Sequence, residues 1–412
     1  MAGNQGPDNN RRVIIIGGSI SGLATGLALL RQGWDVSIYE ATNHAIEQRG
    51  AGIITHTALF NSLEALGINK LDKVGISILK RKLFARNGEV VGNLELPQIS
   101  TSWGRMYTLL RQNFPDNRYH QNKRLTEIEQ CRDTVKTSFS DGTQDSAELL
   151  VGADGIRSAV RHHVEPTANP EYAGYVAWRG LIDESDLSTV ESSEIFPYFT
   201  FCLPDGEQVL SYPIAGAGHQ IDHGQRRCNV VWYRPAEGNT TLVDLLTDSD
   251  GNYNGVSIAP DKVRNEIVSA MQAEADHLLS PQHAQLIKKL EQPFLQPIYD
   301  LLTTTMNHQR VVLIGDAAYT ARPHLAAGVT KALEDALSLA EQLSIYPDVK
   351  TALKNFDELR RPINIELVNR SREMGAYLQA QQMIRREKQH DRLHRDAELV
   401  LHETANLEYQ PP

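Results

Sequence analysis

The sequence predicts an α/β fold with a parallel-sheet domain, an inserted antiparallel-sheet domain and a C-terminal helical segment. Three stretches carry that prediction. Val13-Ile14-Ile15-Ile16 is an all-apolar run that enters a glycine-bearing turn and then an apolar-periodic helix, the pattern of a buried parallel strand and its crossover. Between Tyr172 and Gln292 the texture changes to alternating aromatic strands, which suit an antiparallel sheet with one covered face. Val311-Val312-Leu313-Ile314 then repeats the strand, loop and helix order near the other end of the chain. The expected organisation is a parallel-sheet domain in two parts, 1–171 (with a small β meander) and 293–345, an insertion at 172–292, and helices over 346–412.

Each element follows from local chemistry. Gly17-Gly18-Ser19-Ile20-Ser21-Gly22 leads into a helix from Leu23 to Gln32, Gly33 stops it, and Asp35 to Glu40 is the next strand. This βαβ unit with a terminal acid is the context that a Rossmann-like dinucleotide fingerprint requires, with the acid placed for a ribose hydroxyl. Ser19 stands where the fingerprint has its second glycine. Gln48-Arg49-Gly50 is a glycine-rich turn whose arginine could reach a phosphate, ahead of a helix at 59–66. Lys82 to Val91 reads as a hairpin through Asn87-Gly88, and Met106 to Phe114 as a helix. A small meander is expected over 125–142, and then Leu149 to Asp154-Gly155-Ile156-Arg157 forms another strand ending at a carboxylate. Helices are expected at 241–246 and 261–279.

In the last strand–loop–helix stretch, Asp316 sits at a strand's carboxyl end, where open α/β sheets bind ligands. The backbone N–H groups near Gly328, ahead of a helix from about Thr330, can hold a partly negative ligand atom. The charged stretch Arg385–Glu398 reads as a solvated or partner-facing helix and a candidate homodimer contact.

Composition narrows the partners. The 412 residues are 41% hydrophobic and 22% charged with a formal net charge of -10, which argues against nucleic acid or an anionic membrane as main partner. Cys131, Cys202 and Cys228 are scattered without metal-ligand spacing, as expected for reduced thiols in a cytoplasmic protein and no metal site. No apolar run is long enough to span a bilayer, and the polar Met1–Asn10 does not read as a signal peptide.

Taken together, Gly17 to Gly22, Gly152-Ala153-Asp154-Gly155 and Gly315-Asp316-Ala317-Ala318 with Pro323 and Gly328 resemble the single-component, p-hydroxybenzoate hydroxylase-like (group A) FAD-dependent aromatic monooxygenases. Tyr172 to Gly180 and Arg322-Pro323-His324-Leu325-Ala326-Ala327-Gly328 are similar to the 2,6-dihydroxypyridine 3-hydroxylase branch. The resemblance implies a Rossmann-like FAD-binding domain with an inserted substrate domain. It implies that Gly17, Gly18, Gly22 and Glu40, with Ser19 and Ser21 in the same turn, hold the ADP half of FAD. Arg49 would sit near the pyrophosphate or flavin, Asp154 would serve FAD and the nicotinamide coenzyme, and Asp316 would bind the ribityl or pyrophosphate part. The Pro323 to Gly328 loop and Val329 would line the flavin ring. Relatives place an arginine in or before the helix at 106–114, a role open between Arg105 and Arg111. Relatives also carry a histidine where Tyr319 stands and a glycine where Ala327 stands.

The implied reaction hydroxylates a hydroxypyridine-type ring with O2 and NADH or NADPH, through a flavin C4a-hydroperoxide. No side chain here activates dioxygen, so a redox cofactor must. His324, on the loop placed at the flavin, is the first choice for proton relay, with Tyr212 and Arg179 on the inserted sheet as further pocket groups. Urate, salicylate or another hydroxybenzoate-like ring is the alternative within the family; a carboxylate substrate would need a cation, Arg179 or Arg322. Outside it stand a flavin reductase and a non-catalytic dinucleotide-binding protein.

Overall fold

The computed structural model describes residues 11–43, 52–69, 74–379 and 396–409. Strand β1 (Arg12–Ile16), helix α1 (Ile20–Arg31) and strand β2 (Asp35–Tyr39) form the expected βαβ unit, with Val13 opposite Val36 in parallel register. The chain then departs through β3 (Gly52–Ile54), α2 (Thr57–Ala65), β4 (Ile76–Phe84), β5 (Val90–Ser102) and α3 (Trp103–Gln112) before returning at β6 (Tyr119–His120). Asn87-Gly88 turns the β4–β5 hairpin, with Gly88 at φ 88°. The meander is β7 (Leu125–Gln130), β8 (Val135–Phe139) and β9 (Gln144–Ala147), followed by β10 (Leu149–Gly152) and α4 (Ala159–Val164).

The second half begins with β11 (Glu171–Asp183), α5 (Thr189–Glu194), β12 (Phe199–Cys202), β13 (Gln208–Ile214) and β14 (Arg227–Pro235). Helices α6 (Thr241–Leu245), α7 (Asn265–Leu278) and α8 (Pro281–Lys288) precede β15 (Phe294–Leu302), β16 (Asn307–His308), β17 (Val311–Leu313) and β18 (Tyr319–Thr320). Helices α9 (Gly328–Ile345) and α10 (Val349–Met374) follow, and a last helix covers Ala397–Glu403. Most of the charged stretch read as a dimer contact lies outside the described residues.

The first sheet has the order β16-β17-β10-β1-β2-β6. Its strands are parallel except for β16. Strand β1 lies between β10 and β2, so successive connections leave it in opposite directions and open a crevice at the strands' carboxyl ends.

The second sheet differs from the expectation in two ways. Its order is β18-β15-β11-β14-β13-β12-β4-β5-β3, so it is not confined to 172–292. Strand β4 joins it by pairing parallel to β12, Phe199 opposite Arg81, because Ile78 and Leu83 share an apolar cluster with Phe199 and Phe201. Nor is only one face covered. Along β11, β13 and β14 the odd and even positions both bury. Val176, Trp178, Val209, Val230 and Trp232 pack with residues of α7 and α8, while Tyr175, Ala177, Leu210, Tyr212, Val231 and Tyr233 pack on the opposite face. A strand covered twice loses the polar half of its alternation, which is why β13 is buried at every position.

Buried polar groups knit the two-sided sheet. His283 is fully buried, with Nδ1 2.8 Å from Ser280 Oγ and Nε2 3.1 Å from Thr200 Oγ1, and burial lowers its pKa from 6.5 to about 3. A base depressed in this way stays neutral when folded but takes a proton when unfolded, so stability should fall as pH drops from about 6.5 towards 3, at up to ~1.4 kcal/mol per pH unit. Urea unfolding at pH 7.5 and pH 5.0 should therefore differ by about 2 kcal/mol more in the wild type than in His283→Gln. Equal differences in the two proteins would show that His283 does not carry this dependence.

Candidate active site

Three loops meet at the carboxyl ends of β1, β10 and β17, and the missing side chains of glycines measure how closely. Gly17 has φ 102°, and a Cβ there would lie 2.4 Å from the Ala153 carbonyl oxygen. A Cβ on Gly22 would lie 1.9 Å from the Gly17 carbonyl oxygen, and one on Gly315, at φ 57°, would lie 2.2 Å from Ser21 Oγ. The backbone approaches at Gly17 and Gly22 exclude a side chain, and the positive φ at Gly315 favours glycine there. At Gly18 the neighbour is Tyr119, whose hydroxyl donates to the Gly18 carbonyl at 2.9 Å; a Cβ would lie 2.3 Å from it.

Around this junction the ionised side chains divide into those held by the fold and those turned to open space. Glu40 accepts from the Gly18 N–H and from the Thr42 N–H and hydroxyl, each at 2.9 Å, and so fastens the glycine turn to the end of β2. Asp154 accepts from the Ser158 hydroxyl and from the N–H groups of Ala159 (2.7 Å) and Val160 (3.2 Å) at the start of α4. Burial pushes its carboxyl up and those bonds pull it back. Arg161 donates to the carbonyl of Ala317 at 3.0 Å and to that of Ala168 at 3.1 Å, tying the β10–α4 loop to the turn after β17. Asp335 on α9 accepts from the Gly315 N–H (3.2 Å), Arg360 Nε (2.8 Å) and Asn364 Nδ2 (3.2 Å). Lys331 Nζ lies 3.7 Å from Asp335, is buried and makes no hydrogen bond.

Asp316 is different. Its carboxylate opens into a cavity while protein surrounds it on the other sides. Burial therefore raises its pKa, Lys331 draws it down and Asp335 adds to the rise. No hydrogen bond to its carboxylate comes from the described residues.

The cavity has a volume of about 1480 Å³, above the roughly 300–1,000 Å³ of ordinary small-molecule pockets, and so has room for a large cofactor and a ring together. At one end are Ser19, Ser21 and Asp316, then Pro323, Gly328 and Val329. Helices α1 and α9 both begin on this wall without a side-chain cap, leaving N-terminal N–H groups for a negatively charged ligand. A Cβ on Gly328 would meet nothing. At the other end are Arg179, Tyr212, Tyr233 and His324.

Arg179 is 8% exposed, with its Nε buried and free of hydrogen bonds, and none of the described carboxylates pairs with it. Burial raises the pKa of both Tyr212 and Tyr233, with Arg179 drawing each back, so both phenols stay protonated. His324 Nε2 lies 2.7 Å from the hydroxyl of the buried Tyr175. The other cation read from the sequence, Arg322, is committed to the fold: its Nε donates to Asp300 at 2.8 Å, and Arg372 holds the second oxygen of that carboxylate.

The structure thus brings together Ser19, Ser21, Asp316, Pro323, Gly328, Val329, His324, Tyr212 and Arg179. Gly17, Gly18, Gly22, Glu40 and Asp154 lie behind the wall as its frame. Arg111 stands beside the turn rather than in the cavity, stacked 4.4 Å over Tyr119 and bonded to Asp116 at 2.7 Å. Arg105, on the same helix, has a buried Nε without a partner, and burial lowers its pKa. Arg49 lies outside the described residues. Tyr175 and Tyr233 were not foreseen, though alternation along β11 already places Tyr175 on the same face as Arg179. Arg161 and Lys331 carried no local signal.

Comparison with known proteins agrees with this geometry. Residues 172–300 match a family model described as FAD binding domain-like. The 2,6-dihydroxypyridine 3-monooxygenase of Paenarthrobacter nicotinovorans is 32% identical over 89% of this chain and 91% of its own. The chain belongs to the FAD-dependent aromatic-ring monooxygenases. The solved 2,6-dihydroxypyridine-3-hydroxylase of Arthrobacter nicotinovorans superposes on this monooxygenase with a TM-score of 0.84 at 31% identity, covering 90% of this chain and 93% of that one. HpxO of Klebsiella pneumoniae, solved with FAD and uric acid, shares the fold with a TM-score of 0.77 at 22% identity, covering 96% and 95%. FAD suits the site on the structure's own terms: two uncapped helix N-termini and a carboxylate without a hydrogen bond from the described residues border one large cavity. No described helix is long and apolar enough to cross a membrane.

Replacing the cavity carboxylate tests its part in this. Asp316→Ala should lower FAD retention on gel filtration at least tenfold relative to wild type, with the fold intact by circular dichroism. Full flavin content in the mutant would remove Asp316 from the cofactor site.

Proposed function

We propose that this monooxygenase hydroxylates a hydroxypyridine-type N-heteroaromatic ring, using O2 and NADH or NADPH with FAD bound. The observation that carries the reading is Arg179, a buried cation facing the cavity with no counter-ion among the described residues. A desolvated cation without a counter-ion in a cavity wall is one that an anionic ligand can complete. A dihydroxypyridine, which readily carries negative charge on a ring oxygen, supplies that partner.

Ser19, Ser21 and the α1 N-terminus would receive the pyrophosphate, Asp316 the ribityl chain, and Pro323 to Val329 the isoalloxazine ring, with Glu40 holding the glycine turn in place. FAD, when bound, supplies the activation of dioxygen that no side chain here can. The protein's own part is placement and charge. Arg179 favours the deprotonated ring oxygen and so raises electron density on the ring carbons. Tyr212 and Tyr233, held protonated by burial, donate to ring oxygen or nitrogen. His324, anchored through Nε2 to Tyr175, is the group to take the substrate's hydroxyl proton. The apolar wall of Phe199, Leu210 and Val231 keeps water from the ring.

A carboxylate-bearing ring, a hydroxybenzoate for instance, would also satisfy Arg179. The deciding experiment offers the flavin-loaded protein a panel of hydroxypyridines and hydroxybenzoates, measuring NADH and NADPH consumption, peroxide and hydroxylated product. Dihydroxypyridines should stimulate turnover most. Selective turnover of hydroxybenzoates would transfer the assignment to them, and peroxide as the sole product throughout would end the hydroxylase reading. Arg179→Met should raise KM about 30-fold, the loss of ~2 kcal/mol of charge-assisted hydrogen bonding, with flavin content unchanged; a wild-type KM would exclude Arg179 from substrate binding. His324→Ala should keep FAD and divert turnover to peroxide, so wild-type coupling in that mutant would clear His324 of a role.

A further inference from the structure

The ring end of the cavity is completed by a part of the chain remote from every motif. Thr404 and Ala405, just after the helix Ala397–Glu403, form part of its wall. Their path is held by side chains that bond to its backbone carbonyls. Arg81 on β4 is fully buried; its Nη1 donates to the carbonyls of Leu401 (2.6 Å) and Thr404 (2.7 Å), and its Nη2 to Gln98 Oε1. Gln98 Nε2 in turn donates to the Ala405 carbonyl at 2.8 Å. Ala405, in the left-handed region at φ 52°, donates its N–H to the His324 carbonyl at 2.8 Å. On the far side Arg370 donates to the carbonyls of Asn406 (3.1 Å) and Leu407 (3.3 Å).

Such an arrangement has a physical reading. A guanidinium at a helix C-terminus satisfies the last carbonyls, which have no partner within the helix. Burying it against neutral acceptors costs more than an exposed site would, which a segment in contact with solvent alone does not require. Leu401 is also locked in place: a Cβ on Gly92 would lie 2.8 Å from its Cδ1. The side chains left against the cavity are small.

We propose that residues 401–405, clamped by Arg81 and Gln98, are the closing wall of the ring-binding end, and that Thr404 sets the size of ring admitted. Arg81 is then a positioning residue acting through Thr404 and Ala405 on the His324 loop. The inference rests on the hydroxylase reading for the identity of the ring, but not for the wall itself.

Two variants of the flavin-loaded protein test it. Thr404→Leu keeps every backbone bond and fills space; it should weaken binding of 2,6-dihydroxypyridine at least tenfold, read as perturbation of the oxidised flavin spectrum, and weaken a bicyclic hydroxyquinoline more, with FAD content unchanged. Arg81→Met should raise hydrogen–deuterium exchange over 399–405 and the His324 loop at least tenfold while α1 and β1 keep wild-type protection. Wild-type ring affinity in Thr404→Leu would overturn the size role, and wild-type exchange in Arg81→Met would overturn the wall. If no ring perturbs the wild-type flavin, the hydroxylase reading and the size role fail together, and the exchange comparison still decides the wall.

Discussion

The structure depends on close packing at glycines. Gly17 brings the turn after β1 against the backbone of Ala153 and Asp154 after β10, Gly315 brings the turn after β17 against the Ser21 side chain, and Gly22 lets α1 start against the Gly17 carbonyl; this packing sets where the N-termini of α1 and α9 point. Because both helices begin on the same cavity wall, their free N–H groups act on one volume. A Cβ at Gly17 would push the loops after β1 and β10 apart. Glu40, Arg161 and Asp335 secure the same junction from behind, each by bonding to backbone groups of a turn.

Charge is distributed by the same logic. Several ions that serve the fold are paired: Arg322 with Asp300, Arg360 with Asp335, Arg226 with Glu184. Breaking one member of such a buried pair leaves the other desolvated, which keeps these sites out of the chemistry. Asp316 and Arg179, both in the cavity lining, form no salt bridge with a described residue.

The antiparallel sheet links the two ends. One face packs on α7 and α8 and gives it rigidity; the other presents Arg179, Tyr212 and Tyr233 to the cavity. A sheet covered on both faces holds its side chains in fixed rotamers on a stiff support, as placement of a reactive ring demands. Leu401 and Ala405 pack in the apolar cluster of this face, and Thr404 and Ala405 line the cavity beside it.

Local information was enough for much of this. The parallel strands, the glycine turns and the Asn87-Gly88 hairpin all follow from periodicity and backbone freedom along short stretches, and Asp316, His324, Tyr212 and Arg179, each named from its stretch, line one cavity. Resemblance of those stretches supplied the cofactor. What stayed hidden depends on distant partners. No local pattern says that β4 will pair with β12, that Asp154 will be consumed by the N-terminus of α4, that Asp300 will neutralise Arg322 while Arg179 goes unpaired, or that Arg81 will reach across some 320 positions to Leu401. Periodicity records whether a residue is covered, whereas only tertiary packing decides what covers it, and at this site the covering group separates a structural ion from one left for a ligand.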